Sequence, residues 1–253
     1  GMSTVVRLAQ SFDEWRAAAR ELIALGVPPA DVAWQSQAGE GDLFSVAPEA
    51  TNVHAPQLRL PRQLVELLLA AACFNVPDRW AFLYQVLWRW QLGQHDVVSP
   101  ADADGARLHA MVKAVHREEH DMHAYVRFRE RDEAQGAPRF VAWFEPVHEV
   151  LPQVARHFAR RMGSTSWMIA TPAASMLWDG STLHAGPALM SGAADIDDAG
   201  EALWLTYYRS IFNPARVNAD LLHSHIPSRF WKNLPEGAIV PAMLSGAANG
   251  ERR

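Results

Sequence analysis

The chain has 253 residues, 49% of them hydrophobic and 20% charged, with a formal charge of −5 and a pI of about 6.1. This composition supports a full hydrophobic core and excludes a disordered chain, a collagen-like repeat and a disulfide-stapled mini-protein. It also argues against a strongly basic, sequence-blind nucleic-acid binder, while leaving room for a local basic surface. No apolar run approaches the roughly 20 residues of a membrane span. No basic stretch followed by an apolar one marks a secretory signal, and Gly1 ahead of Met2 reads as a cloning remnant. The single cysteine, Cys73, allows no internal disulfide, so a reducing compartment and a cytoplasmic location are expected. Of the 23 basic residues only Lys113 and Lys232 are lysine, and arginine is the residue suited to bidentate contact with phosphate or carboxylate.

In chain order, Thr4 to Leu8 is predicted as a short strand. Ser11 and Glu14 form a capping box that opens a helix running to about Leu25, ended by Gly26 and Pro28-Pro29. Val32 to Gln35 is a second short strand, and residues 36–57 read as a loop. Helices over about 61–74 and 78–92 carry Leu64, Leu67, Leu68, Leu83, Leu87 and Trp88 at helical spacing. Ser99-Pro100-Ala101-Asp102 opens a helix to about Met122, with Pro100 at its first position. The period then changes to two. Tyr125 to Arg131 and Phe140 to Glu145 read as paired strands, followed by a helix over about 148–162 that ends at Gly163. Strands at 166–170, 175–178 and 182–185 follow, the last two joined by the Asp179-Gly180 turn. Residues 186–197 read as a loop, with helices at about 198–212 and 214–224 and a turn over Trp231 to Pro235 closing the chain. The expected architecture is α+β: a single domain over 1–253, with a helical N-terminal part (1–122), a sheet region (123–190) and a helical C-terminal part (197–240). A central antiparallel sheet at about 123–186 is flanked by helices from both terminal thirds.

Three features can carry chemistry. The first is a histidine stripe: His109, His116, His120 and His123 share one side of a helix, so neighbouring rings at i,i+3 and i,i+4 spacing could share a metal or act as acid and base. A solvated polar face has the same pattern. No HExxH motif or nearby cysteine singles out a metal, and none is assigned. The second is the strand pair. Alternation puts Val126 and Phe128 on one face and Tyr125, Arg127, Arg129 and Arg131 on the other. With a symmetric loop, Arg127 lies near Trp143 and Tyr125 near Glu145. Such an arginine–aromatic face suits single-stranded nucleic acid, and equally an ion-paired sheet face under a helix. The third is a basic helix face of Arg156, His157, Arg160 and Arg161 in a stretch, 150–178, without an acid. It suits a phosphate or another anion. GxGxxG, Walker A, GxSxG and CxxC motifs do not occur.

The segments His120 to Arg129, Val141 to Pro146, His157 to Arg161, Phe212 to Arg216 and Trp231 to Pro235 occur in an order that resembles an uncharacterised domain family of probable DNA metabolism or repair proteins. Members of that family occur alone, beside a radical-SAM protein, or fused ahead of a UdgX-type uracil-DNA-binding domain. The resemblance spans about residues 4–240. It implies DNA repair through genomic company, with DNA, a UdgX-type domain or a radical-SAM protein as partners. Positions matching its pattern are His120, Arg127, Phe128, Glu145, His157, Arg161, Asn213, Lys232 and Asn233. His109 and His116 are not part of that pattern, and Ala173-Ala174 stand where the family often has an Asp-Arg pair. No glycosylase motif is present, so no uracil excision is expected.

The leading expectation is therefore a DNA-repair-associated accessory domain that binds DNA, a partner repair enzyme, or both. Its ligand- or anion-binding residues would be Tyr125, Arg127, Arg129, Trp143, Arg161, Asn213, Lys232 and Asn233, and no cofactor is called for. The alternative is a nucleotide or DNA-end hydrolase with His120, His157 and Glu145 as acid–base groups and arginines as anion clamps. A purely structural interaction module is the third reading.

Overall fold

The computed structural model describes residues 4–8, 12–36, 58–132, 134, 136–186 and 188. The described residues fall into two compact units, divided between Arg117 and Glu118.

In the first unit, β1 (Thr4–Leu8) and β2 (Val32–Ser36) pair in parallel, joined by α1 (Phe12–Ala24) and a 3-10 turn at Pro29–Asp31. The helix begins where the capping box places it, although Ser11 itself lies outside the described residues. Helices α2 (Arg62–Ala72) and α3 (Arg79–Gln91) follow the expected boundaries closely. Their apolar stripes bury Leu64, Leu68, Leu83 and Leu87 against Phe12, Trp15 and Trp80. Two long-range hydrogen bonds satisfy polar atoms of this core. The indole of Trp15 donates to the Trp80 carbonyl at 3.0 Å, and the Tyr84 hydroxyl donates to the Val27 carbonyl at 2.6 Å.

Helix α4 (Ala103–Tyr125) starts later than the Ser99-Pro100 signal suggested. Asp102 is what caps it: its Oδ2 accepts from the amides of Asp104 (2.9 Å) and Gly105 (3.0 Å). The Arg89 guanidinium forks onto both Asp102 oxygens at 2.8 and 3.0 Å and reaches Asp104 at 3.0 Å. The Arg89 hydrogen bond and the capped amides hold the Asp102 carboxyl down to about 2. Gly105 is required here, since a side chain would collide with the Ser99 carbonyl.

Among its described residues the second unit holds a five-stranded sheet in the order β3-β4-β5-β6-β7. The strands are β3 (Arg129–Glu130), β4 (Phe140–Trp143), β5 (Trp167–Ala170), β6 (Ser175–Trp178) and β7 (Leu183–Gly186). The α+β class holds, but the sheet is mixed. The β4/β5 pair is parallel and the other three pairs are antiparallel. The reason lies in α5 (Leu151–Met162), which crosses over between β4 and β5, as a parallel connection needs and a hairpin cannot provide. Trp167, Met168, Ile169, Leu177 and Leu183 form the buried centre of the sheet. At the β6–β7 turn, Asp179 Oδ1 accepts from the Ser181 and Thr182 amides, both at 2.7 Å. Gly180 adopts φ +101°, and a Cβ there would sit 2.5 Å from the Ser164 carbonyl oxygen. The helices expected over 198–224 lie outside the described residues.

The predicted strand Tyr125 to Arg131 needs correction. Helix α4 runs through Tyr125, and only Arg129 and Glu130 enter the sheet, opposite Val141 and Phe140. Arg127 is therefore not in the ladder opposite Trp143, nor is Tyr125 opposite Glu145. The Arg127 guanidinium instead donates to the Ala124 carbonyl at 2.6 Å and the Val126 carbonyl at 3.4 Å, satisfying the open end of α4. Arg131 is not on an exposed polar face either. It is only 4% exposed and donates to the Pro138 carbonyl at 2.9 Å, holding the loop between β3 and β4 closed.

Candidate functional site

Helix α5 contains no acid, carries Pro152 in its first turn and ends at Gly163 with φ +58°. Its apolar side, Leu151, Val154, Ala155 and Phe158, is buried. Its other side carries Arg156, His157, Arg160 and Arg161, which appear twice as i,i+4 pairs and so form one stripe. The last two turns of α4 supply the facing groups. Together Glu119, His123, Gln153, Arg156, His157, Arg160 and Arg161 line a cleft of about 490 Å3.

The centre of this cleft is a stacked imidazole pair. His123 and His157 lie with ring centroids 3.8 Å apart and planes 15° from parallel. Both rings rest edge-on against Phe158, at 6.2 and 5.2 Å. Phe158 in turn meets Phe128 at 5.1 Å and Trp167 at 6.4 Å, so an aromatic cluster reaching into the sheet supports the pair. The Nε2 atoms of His123 and His157 and the Nε of Arg156 are buried without a hydrogen-bond partner.

The electrostatics follow from burial and crowding. Burial lowers the pKa of His123, and the neighbouring His157 and His120 lower it further. Burial also lowers that of His157, assisted by Arg161 and Arg160. Arg156 is pushed down by burial and by Arg160 against the opposing field of Glu119, and a guanidinium stays protonated under such a shift. The described lining therefore sets two imidazoles whose protonation is disfavoured, and three guanidiniums, against the carboxylate of Glu119.

A second carboxylate, outside the lining, sets the geometry. Glu118 accepts from the Val147 amide at 3.0 Å and the His148 amide at 2.6 Å, which ties the segment before α5 to α4. This clamp keeps His123 in register with His157.

The residues expected from sequence are only partly brought together. His157 and Arg161 line the cleft. His120 is exposed, one turn of α4 before His123, and is close enough to lower the latter's pKa. Glu145 is elsewhere, accepting from the Trp143 indole at 2.9 Å. Arg127 caps α4, Arg129 is exposed on the edge strand β3, and Tyr125 is 66% exposed at the end of α4. Asn213, Lys232 and Asn233 lie outside the described residues. The members of the histidine stripe have separate settings: His109 Nε2 donates to the Val98 carbonyl at 2.7 Å, His116 is exposed, and only His123 enters the cleft. Among the described residues no group of three or more His, Cys, Asp or Glu side chains is arranged to hold a metal ion, and no helix is long and apolar enough to cross a membrane.

Glu119 and Gln153 carry no signal in the sequence, whereas Arg156 and Arg160 belong to the basic helix face and His123 to the histidine stripe, without being assigned there as binding residues. The arginines were visible as a basic stripe. Selecting His123 from four histidines required the contact between α4 and α5. No curated protein and no solved structure matches the chain. A family match covers residues 77–236, a span that includes every residue of the cleft, and on that match the chain belongs to the DUF4130 family, a domain of unknown function.

Proposed function

We propose that this domain is a DNA-repair-associated accessory module that contacts nucleic-acid phosphates through the basic face of α5. The observation that carries this reading is the convergence of Arg156, Arg160 and Arg161 around the stacked His123–His157 pair, in a chain whose overall charge is negative. A local cluster of guanidiniums in an otherwise acidic protein is suited to directed phosphate contact rather than to general adhesion. Tyr125, two residues beyond His123 and largely exposed, adds a surface on which a base can stack. The link to repair rests on the family resemblance, through a UdgX-type or radical-SAM partner.

The test is binding of single-stranded, duplex and uracil-containing DNA over a series of salt concentrations. Binding should weaken with salt, and Arg160→Gln/Arg161→Gln should reduce the slope of log K against log salt by about 1.4 for single strands, two contacts' worth. Absence of binding to all three at low salt overturns the DNA reading. A pull-down with the radical-SAM protein or the UdgX-type domain, repeated with the same double variant, tests the partner reading.

A further inference from the structure

The cleft between the end of α4 and α5 is shaped for a point charge rather than a track. Residues 156 to 161 span only about 7.5 Å of helix axis, and three guanidiniums fall within that length. A groove that follows a polymer backbone spreads its cations along the strand. Here they are gathered at one place, and two protonatable rings sit among them with buried, unpartnered Nε2 atoms. Arg160 and Arg161 in the last turn also complement the negative end of the helix dipole. That role does not account for Arg156, or for holding two imidazoles face to face beside them.

We propose that this cleft is a phosphate-monoester site: it takes the terminal phosphate of a nucleotide or of a nucleic-acid end in preference to internal phosphodiesters, with Arg156, Arg160 and Arg161 as the clamp and the stacked imidazoles as the proton store. For the polymer source this rests on the nucleic-acid reading above; for a free nucleotide it stands alone. The chemistry distinguishes the two phosphate types. A monoester carries between one and two charges near neutrality, with a second pKa of about 6, whereas a diester holds one fixed charge and has no proton to exchange. The groups facing the pair are Glu119 and His120 from α4 and Arg156, Arg160 and Arg161 from α5. Burial disfavours protonation of both rings, aided at His123 by the neighbouring His157 and His120 and at His157 by Arg161 and Arg160. A dianion seated among them reverses that field. A proton then moves from solvent onto one ring, and the added positive charge offsets the repulsion from Glu119.

The experiment is calorimetric titration of the full chain at pH 7 in two buffers of different ionisation enthalpy. The probes are inorganic phosphate, a deoxynucleoside 5′-monophosphate, a 5′-phosphorylated oligonucleotide and the same oligonucleotide with hydroxyl ends. The phosphorylated end should bind at least about tenfold tighter than the hydroxyl end, with net proton uptake. Arg160→Gln/Arg161→Gln, both on the exposed last turn, should abolish the preference while the protein stays folded. His123→Gln/His157→Gln should abolish the proton uptake, and Arg62→Gln on α2 should change nothing. Equal affinity for the two oligonucleotides overturns the monoester site and leaves DNA binding intact. Monophosphate binding without oligonucleotide binding supports the site and overturns the nucleic-acid reading. No binding of any probe, or a preference that survives in the double arginine variant, overturns the site.

Discussion

Arg127 separates a structural role from a binding role, because the sequence places it beside aromatics on a sheet face and the structure places it at a helix end. Its guanidinium donates to the Ala124 carbonyl at 2.6 Å and, less favourably, to the Val126 carbonyl at 3.4 Å. A cation on the last carbonyls of an exposed helix contributes about 0.5–1 kcal/mol, from the hydrogen bond and from the negative end of the helix dipole. The longer contact adds little. Arg127→Ala should therefore lower stability by about 0.5–1 kcal/mol, a fall in melting temperature of about 1–4 °C for a chain of this size. Arg127 does not line the cleft, so affinity for phosphate probes should stay within about twofold of the parent. Arg127→Lys keeps the charge and should recover part of the loss. The assays are a thermal melt and a binding titration on the same preparations. A variant that melts normally and binds about tenfold more weakly would refute this assignment and restore Arg127 to the ligand surface.

Three further outcomes follow from the geometry. The folded-state pKa values of His123 and His157 lie below the ordinary histidine value, so their contribution to stability is complete above about pH 6.5 and is lost as pH falls through the lower folded values. Urea unfolding between pH 8 and 5.5 should show this loss and His123→Phe/His157→Phe should flatten it; a flat parent profile contradicts the assignment. Gly105→Ala drives a methyl group into the Ser99 carbonyl and to within 2.8 Å of the Val97 carbonyl oxygen, and denaturant unfolding should read a loss of about 3 kcal/mol; a loss below about 1 kcal/mol would show that the turn yields easily. Burial alone would raise the Asp179 pKa, but hydrogen bonds from His184 (2.8 Å) and the Ser181 and Thr182 amides hold it down to about 2. Its contribution is therefore present above about pH 4 and lost as pH falls toward 2, and Asp179→Ala should cost about 1–2 kcal/mol at pH 7, reduced by its partial exposure; an unchanged midpoint in guanidinium would show that the turn holds without it.

Much of the fold is legible in local pattern. Helices α2 and α3 carry leucines at unbroken helical spacing, and the Asp179-Gly180 turn states its own conformation. The failures came where a side chain satisfied a backbone group that periodicity does not register. Tyr125 to Arg131 alternates like a strand, yet α4 takes Tyr125 and Arg127 closes that helix. Asp102 displaced Ser99 as the cap because it has both the amides of α4 and Arg89 to bind. The parallel β4/β5 pair required recognising α5 as a crossover rather than as an element beside a meander. In the candidate site, one stripe of arginines on α5 could be read from spacing alone. The choice of His123 as its partner could not, since it depends on how two helices far apart in sequence meet.

The Glu118 clamp has a consequence for the chain's tolerance of length change. Glu118 fixes the α4 end of the segment to the Val147 and His148 amides, and His123, five residues on, must still face His157. Each residue of helix turns the chain by about 100°. Inserting one residue between these two positions would leave the clamp engaged while swinging the imidazole about 100° away from its partner, further than any rotamer change can recover. The stretch from 118 to 123 is thus a gauge whose residue count matters independently of residue identity. Substitutions at its exposed positions, such as His120, preserve that count, whereas a single insertion or deletion breaks it.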